Sequence, residues 1–174
     1  KVSSPDNFVV IYNPDGNNVI KNPENAGLVQ DGGSYTENVT AENGIASVNG
    51  KYYKTVEGAI SAAKDGDTIQ FASGEITLPD NLVITNRVSL AGAGKAETTL
   101  VGNIVYQFSS DQKNNTLKVS DLTLAAADSS LQGIQFRGNN ANDGYNLNIV
   151  VENCAFDGWT YALAMNSHAN KYHM

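Results

Sequence analysis

The stretch YKTVEGAISAAKDGDTIQF, residues 53–71, changes from a helical to a β-strand period within a few residues. Four apolar residues at i, i+3, i+4 and i+7 form one stripe of a short helix: Val56, Ala59, Ile60 and Ala63. Thr55 is a suitable N-cap, and Gly66 is a suitable left-handed stop. Because the stripe is narrow and built of small residues, we expect the helix, about residues 55–64, to lie flat against other structure.

The residues after this helix read as short β-strands separated by clusters of Gly, Asn, Asp and Ser. Seven runs are predicted, at 68–72, 81–92, 98–108, 116–126, 131–138, 147–158 and 161–165. A hairpin around Asn49-Gly50, the strongest short turn signal of the chain, precedes the helix. The sequence therefore predicts an all-β fold with one small helix.

The first part of the chain has a different pattern. Residues 8–20 read as a hairpin with a Pro-Asp-Gly turn, and residues 21–44 are rich in turn residues, which predicts loop or linker with at most one strand. We therefore predict a β segment or linker over residues 1–45 and a β domain over residues 46–174.

One unit recurs along the β domain. Residues 119–136 and 151–165 share a strand, a one-residue polar corner, a second strand and, after a variable loop, a third strand, and residues 84–90 form an earlier copy. The predicted corners are Asn86, Asp121 and Asn153. Such units bury too little apolar surface to fold alone, so we expect them to stack, with the corner residues forming a structural ladder. An antiparallel sandwich of hairpins is the alternative, but it needs tight two-residue turns, which are rare after residue 66.

Several motifs in this region follow a known pattern: the cap helix Thr55 to Ala63, Gly66-Asp67-Thr68-Ile69, Gly74 with Ile76, and Leu90 to Gly94. Over about residues 46–165 the chain resembles pectin-lyase-like right-handed parallel β-helix proteins, and modules of large cell-surface proteins of Gram-positive gut bacteria. The resemblance implies a short right-handed parallel β-helix, a solenoid, capped by the helix at about 55–64. It also implies an extracellular or cell-wall-attached location. The fold hosts lyases, hydrolases and adhesins, so it does not decide the function.

Charged and amide side chains near residue 140 form one candidate site. Arg137 beside Asp143 or Asp157 is the best candidate for a polar site, against the alternative of separate surface charges. Asn142 and Asp143 offer oxygen ligands to Ca²⁺, but Val150 stands where an EF-hand loop has Glu, so a plain turn-rich loop is favoured. We predict no cofactor and no metal.

Aromatic side chains form the second candidate site. Tyr145, Trp159 and Tyr161, with Tyr106, would offer a sugar-stacking surface if they share a face; the alternative is that Trp159 and Tyr161 shield the core edge. The single cysteine, Cys154, aligns with an inward leucine, so we expect a buried apolar residue and not a nucleophile.

The charge balance restricts the partners. A net charge of −7 and a pI near 4.6 argue against nucleic acid and anionic membranes. No apolar run is long enough to span a membrane, so we predict no membrane insertion.

The favoured function is therefore a non-enzymatic extracellular bacterial surface module: a stalk, an adhesin or a glycan-contacting surface. Its partner would be a cell-surface or dietary glycan, or a host surface protein. No C-terminal cap is predicted, and an open end exposes strand edges, so we expect the native chain to continue past Met174 or another chain to cover that end. Two alternatives remain: the N-terminal fragment of a polysaccharide lyase or hydrolase with catalytic coils beyond residue 174, and a self-association module acting through the open end.

Overall fold

The chain folds into two compact units, Lys1–Glu42 and Asn43–Met174, in the computed structural model. The structure describes residues 2–3, 9–11, 19–21, 28–31, 34–37, 39–80, 82–108, 116–127, 132–138, 147–166 and 172–173. The unit boundary lies close to the predicted boundary at residues 45 and 46.

The first unit contains two antiparallel sheets. Its described strands are β1 (Val2–Ser3), β2 (Val9–Ile11), β3 (Val19–Lys21), β4 (Leu28–Asp31) and β5 (Ser34–Glu37). Strands β1, β2 and β3 form one sheet, and β4 pairs with β5 in the other. The antiparallel β2–β3 pair confirms the hairpin predicted over residues 8–20. Residues 21–44, predicted to hold at most one strand, contain the β4–β5 pair, because alternation over only four residues per strand is too short to stand out among turn residues.

The second unit begins with a hairpin and the helix. These elements are β6 (Ala46–Val48), β7 (Lys51–Tyr53) and α1 (Val56–Ala62). The strands that follow are β8 (Thr68–Phe71), β9 (Gly74–Thr77), β10 (Leu82–Ile84), β11 (Ser89–Ala91), β12 (Thr98–Val101), β13 (Ile104–Phe108), β14 (Thr116–Ser120), β15 (Thr123–Ala125), β16 (Gln132–Gly138), β17 (Leu147–Glu152), β18 (Ala155–Asp157), β19 (Tyr161–Asn166) and β20 (Tyr172–His173).

Strands β8 to β20 belong to three sheets that the chain visits in turn. The first sheet has the order β20-β17-β14-β11-β8-β6-β7, the second β18-β15-β12-β9 and the third β10-β13-β16-β19. From β8 onward every neighbouring pair is parallel, and no sheet is closed. We call β8–β10, β11–β13, β14–β16 and β17–β19 the four circuits. Consecutive strands of a circuit lie in different sheets, which differs from the hairpin pairing that an antiparallel sandwich requires.

The strand register aligns apolar side chains of successive circuits. One row in each sheet consists of Ile69, Leu90, Val119 and Val151; Ile76, Leu100, Leu124 and Phe156; and Leu82, Ile104, Ile134 and Leu163. All of them belong to one apolar cluster or pack against it. Full burial of such a side chain stabilises the fold by about 1.5–3 kcal/mol. These rows therefore contribute a substantial part of the apolar stabilisation of the second unit.

Helix α1 is the one helix among the described residues. The Thr55 hydroxyl accepts the Gly58 N–H at 3.1 Å, as expected of an N-cap. The stripe faces the core, with Val56 and Ala59 buried, and the helix packs on the β6–β7 hairpin.

The predicted end of the helix was wrong. The helix stops at Ala62, and Ala63 is extended with φ −76°. Gly66 has φ +90° but lies in the following turn, where its N–H donates to the Arg87 carbonyl at 3.0 Å. A glycine in a left-handed conformation therefore serves the turn into β8 instead of the helix terminus.

In the second circuit, the corner between the first and second sheets is Gly92, and it leaves no room for a side chain. A Cβ atom on Gly92 would lie 2.2 Å from the Asp121 carbonyl oxygen and 2.9 Å from the Leu122 Cβ. The Gly92 N–H donates to the Ser120 carbonyl at 3.0 Å, so the two circuits are joined at this point. Close approach of two backbones, and not a positive φ, requires glycine here.

We predict that Gly92→Ala lowers the free energy of unfolding by roughly 3 kcal/mol, because backbone of the next circuit must move. Gly94→Ala is the matched control, since its Cβ would meet Glu97 atoms at 3.6–3.7 Å, an ordinary contact. We expect the control to stay within about 0.5 kcal/mol of the parent chain. Chemical denaturation measures both, and equal effects of the two substitutions would contradict the close approach at Gly92.

Candidate functional site

Two of the predicted corner residues stack on each other. Asp121 follows β14 and Asn153 follows β17, and both have left-handed backbone, with φ 58° and 49°. The Asn153 Nδ2 donates to the Asp121 Oδ1 at 2.6 Å. Asn and Asp tolerate this backbone region better than other side chains do. The contact therefore fastens the third circuit to the fourth.

Asn86 does not belong to this ladder, and its prediction as a corner of the same kind was wrong. It lies between β10 and β11, where the chain passes from the third sheet to the first, whereas Asp121 lies between the first and second sheets. The Asn86 Nδ2 donates to the Ala63 carbonyl at 2.9 Å, just after α1. The alternating pattern of residues 84–90 does not distinguish one corner of a circuit from another, and Gly92 occupies the ladder position.

The polar candidates near residue 140 are divided between sheets. The Arg137 guanidinium donates through Nε at 2.9 Å, and also through one terminal nitrogen, to Oε1 of Gln135, which is buried on the third sheet. Asp157 is exposed at the end of β18 in the second sheet. Asn142, Asp143 and Tyr145 lie outside the described residues. The structure therefore does not unite Arg137 and Asp157 on one sheet face.

The described aromatic candidates do not form a common platform. The Trp159 Nε1 donates to the Leu124 carbonyl at 2.9 Å, and the ring packs against the apolar cluster. Tyr106 is completely buried and its hydroxyl donates to the Val88 carbonyl at 2.8 Å. Burial raises the pKa of the Tyr106 hydroxyl far above its usual value. Tyr161, in contrast, is 58% exposed.

Tyr106 belongs instead to a stack of aromatic rings on the core-facing side of the third sheet. Its ring lies 5.7 Å from that of Phe108 and 5.6 Å from that of Phe136, measured between centroids. The sequence shows Tyr106 two residues before Phe108, an alternation typical of one strand face. It does not show which face is inward, so the residue was open to a functional interpretation.

Sequence reasoning missed Arg87, which is buried with 2% of its surface exposed. The Arg87 guanidinium carbon lies 5.6 Å from the centroid of the Phe108 ring. The Arg87 backbone N–H donates to the Asp65 Oδ1 at 2.9 Å. A cation over an aromatic face is attractive, more so where water is excluded. An arginine between two apolar runs gives no signal of such burial, since arginine is usually exposed.

A charged group lies beside the ladder on the outer side of the first sheet. Lys118 pairs with Glu152 of the neighbouring strand, and the hydrogen bond that Lys118 donates to the Glu152 carboxylate raises the Lys118 pKa. The hydrogen bond from the Asn153 side chain, followed by one from Ser120, lowers the pKa of Asp121. The Lys118 and Glu152 side chains are 44% and 54% exposed, so screening keeps their interaction weak.

Cys154 is half-buried at the same corner. Its Sγ lies 3.3 Å from the Glu152 carbonyl oxygen and 3.5 Å from the Val119 carbonyl oxygen. Burial raises the pKa of the thiol, so it stays protonated and is a poor nucleophile. This position agrees with the expected inward, apolar role.

Within the described ranges, no three His, Cys, Asp or Glu side chains converge to hold a metal ion. No described helix is both long and apolar enough to cross a bilayer. Comparison of the chain with protein-family models, curated proteins and solved structures finds no match. The resemblance to pectin-lyase-like proteins therefore stays a prediction.

We predict that the Asp121–Asn153 contact makes the stability of the fold depend on pH in the acidic range. Because the folded-state pKa of Asp121 lies below its usual value of 3.8, its stabilisation is present above pH 3.8 and is lost as the pH falls through the folded-state pKa. Asp121→Asn keeps a corner residue that tolerates left-handed backbone but removes the titrating carboxylate. The midpoint of thermal unfolding should therefore fall less on acidification than it does in the parent chain.

Asp157→Asn is the control for this test, since it removes one carboxylate at an exposed position in the second sheet. It should leave the acid-induced shift of the parent chain unchanged. An Asp121→Asn curve that falls as steeply with acid as that of the parent would contradict the role of the ladder.

Proposed function

We propose that residues 43–174 form a right-handed parallel β-helix that acts as a non-enzymatic module on the outside of a bacterial cell. The observation that carries this proposal is the cyclic strand order, in which three parallel sheets are visited in turn around one apolar cluster. Stacked circuits that contact mainly their neighbours are typical of solenoid proteins, which use extended surfaces for binding or spacing.

The use of the candidate side chains also supports this proposal. Trp159 and Tyr106 donate to backbone carbonyls and pack on the core, and Asp121 binds Asn153 of the next circuit. The Trp159 and Asp121 contacts thus join the third circuit to the fourth, and Tyr106 is occupied within the core. A structural role for the stack, as a stalk, needs no other use of them.

The outer side chains support a surface that faces water. One outward row of the second sheet consists of Glu75, Thr99, Thr123 and Ala155. Apart from Glu75 these side chains are short and neutral, and with the net charge of −7 they favour solubility. They are consistent with an extracellular location.

An adhesin or glycan-contacting role rests on Tyr161, because exposed aromatic rings with a polar tip are common at binding surfaces. We predict that immobilised glycans retain the chain and that Tyr161→Ala weakens retention at least several-fold. Tyr52→Ala is the matched control, since Tyr52 is 36% exposed on β7. Equal loss with both variants would show that Tyr161 has no special role.

An activity assay on the chain distinguishes the non-enzymatic module from the enzyme alternative. Incubation with a panel of acidic and neutral polysaccharides should release no more reducing ends or unsaturated products than heat-inactivated chain does. Depolymerisation that Arg137→Ala or Asp157→Ala abolishes would contradict the non-enzymatic proposal and favour the polysaccharide lyase or hydrolase.

Self-association is a second candidate, favoured by the exposure of the fourth circuit. In the third circuit Val119 and Leu124 are fully buried, whereas Val151 and Phe156, at the same register positions, are half-buried. Among the described strands, β18 and β19 are also the edge strands of their sheets. Apolar side chains beside open strand edges favour pairing with another chain.

We predict that the mass measured by light scattering rises with concentration towards that of a dimer. Met165→Glu, in the edge strand β19, should shift the chain to monomer. Val83→Glu is the control, since Val83 is 45% exposed on β10, the opposite edge of the same sheet. A monomeric mass at all concentrations would exclude this candidate.

A further inference from the structure

The turn that closes the β6–β7 hairpin places a reactive dipeptide in water. Asn49 and Gly50 have φ 50° and 79°, which is the left-handed pair that a two-residue hairpin turn requires. The last residue pair of the β6–β7 hairpin is Val48–Lys51, so the Gly50 N–H takes no part in the pairing of the two strands. Both turn residues are exposed, and a Cβ on Gly50 would meet nothing within 4 Å. The Asn49 side-chain amide and the following backbone nitrogen are therefore neighbours in an exposed turn.

We propose that Asn49 is a site of spontaneous deamidation, which acts as a slow timer on the hairpin. The Gly50 backbone nitrogen loses its proton to solvent and attacks the Asn49 Cγ. A C–N bond forms to give a cyclic imide, the bond from Cγ to Nδ2 breaks, and the amide leaves as ammonia. Water then adds to one of the two imide carbonyls, which gives aspartate or isoaspartate at position 49. Asparagine is among the chemically labile residues of proteins.

One contact holds the amide in its unreacted form. The Asn49 side chain hydrogen-bonds the Asp67 carboxylate, which also accepts the Lys64 backbone N–H at 2.8 Å. The reaction needs the Asn49 amide to leave Asp67 and the turn to change its dihedral angles. The rate is therefore governed by the opening of the hairpin, and it is slower than in an unfolded peptide.

Deamidation turns the attractive contact between residues 49 and 67 into a repulsive one. In the product, a carboxylate at position 49 faces the Asp67 carboxylate where the amide had donated a hydrogen bond, and the two like charges repel. Lys64 is the charged neighbour that acts on Asp67, and its attraction is then shared between two carboxylates. Isoaspartate also adds a backbone atom to a turn that has only two residues, which disturbs the register of β6 against β7.

The hairpin matters because it extends the first sheet beyond the first circuit. Strand β6 pairs antiparallel with both β7 and β8, and α1 packs on the hairpin. Weakening the turn therefore loosens the cover of the β8 edge. An uncovered strand edge is a site for association with other chains.

The first experiment tests the reaction itself. The folded chain is incubated at mildly alkaline pH, and peptide mapping follows the mass increase of NH₂ replaced by OH, with an isoaspartate-specific assay. We expect the modification at Asn49, its absence at that position in Asn49→Gln, and faster conversion in denatured chain. Tandem spectra separate it from Asn43-Gly44, the other described Asn-Gly pair. An unmodified Asn49 after the denatured chain has fully converted would overturn the proposal.

The second experiment tests the consequence of the new charge. Asn49→Asp reproduces one product, and we expect it to lower the midpoint of thermal unfolding by a few degrees. In an Asp67→Asn background, which removes the repulsion but keeps an acceptor for the Lys64 N–H, the same substitution should have a much smaller effect. An equal fall in both backgrounds would overturn the role assigned to Asp67.

Discussion

The in-register stacking of apolar side chains between parallel strands is the interaction on which the second unit depends. The row Ile69, Leu90, Val119 and Val151 shows the constraint. Each side chain lies above the equivalent residue of the preceding circuit, because strands three apart in sequence are neighbours in one sheet. A one-residue slip would turn the whole row outward.

The corners help to maintain this register. Gly92 lets two backbones approach, and Asp121 and Asn153 join the next two circuits through their side chains. At the N-terminal side the β6–β7 hairpin continues the first sheet, and α1 packs on it. At the other side the fourth circuit leaves Phe156 half-buried. The proposed surface module would act through its outer faces and its fourth circuit.

Local signals in the sequence predicted the elements with a short-range cause. Thr55 and the small apolar stripe predicted α1, and the Asn49-Gly50 turn predicted its hairpin. The candidate site was less predictable, because a period of two identifies a strand face without showing which face is inward. Tyr106 was therefore open to a binding role although it is buried, and Asn86 was aligned with the wrong corner. Local sequence decides neither the burial of Tyr106 nor the corner at which Asn86 lies. Both depend on the order in which the chain visits the three sheets.

Nuclear Overhauser effects between backbone protons test the cyclic parallel register most directly. The account predicts contacts between strands three apart in the chain, including Ile69 with Leu90, Leu100 with Leu124 and Ile104 with Ile134. It predicts no ladder of contacts between consecutive strands such as β14 and β15, which lie in different sheets. An antiparallel ladder between those two strands, with the long-range contacts missing, would contradict the account and favour a sandwich of hairpins.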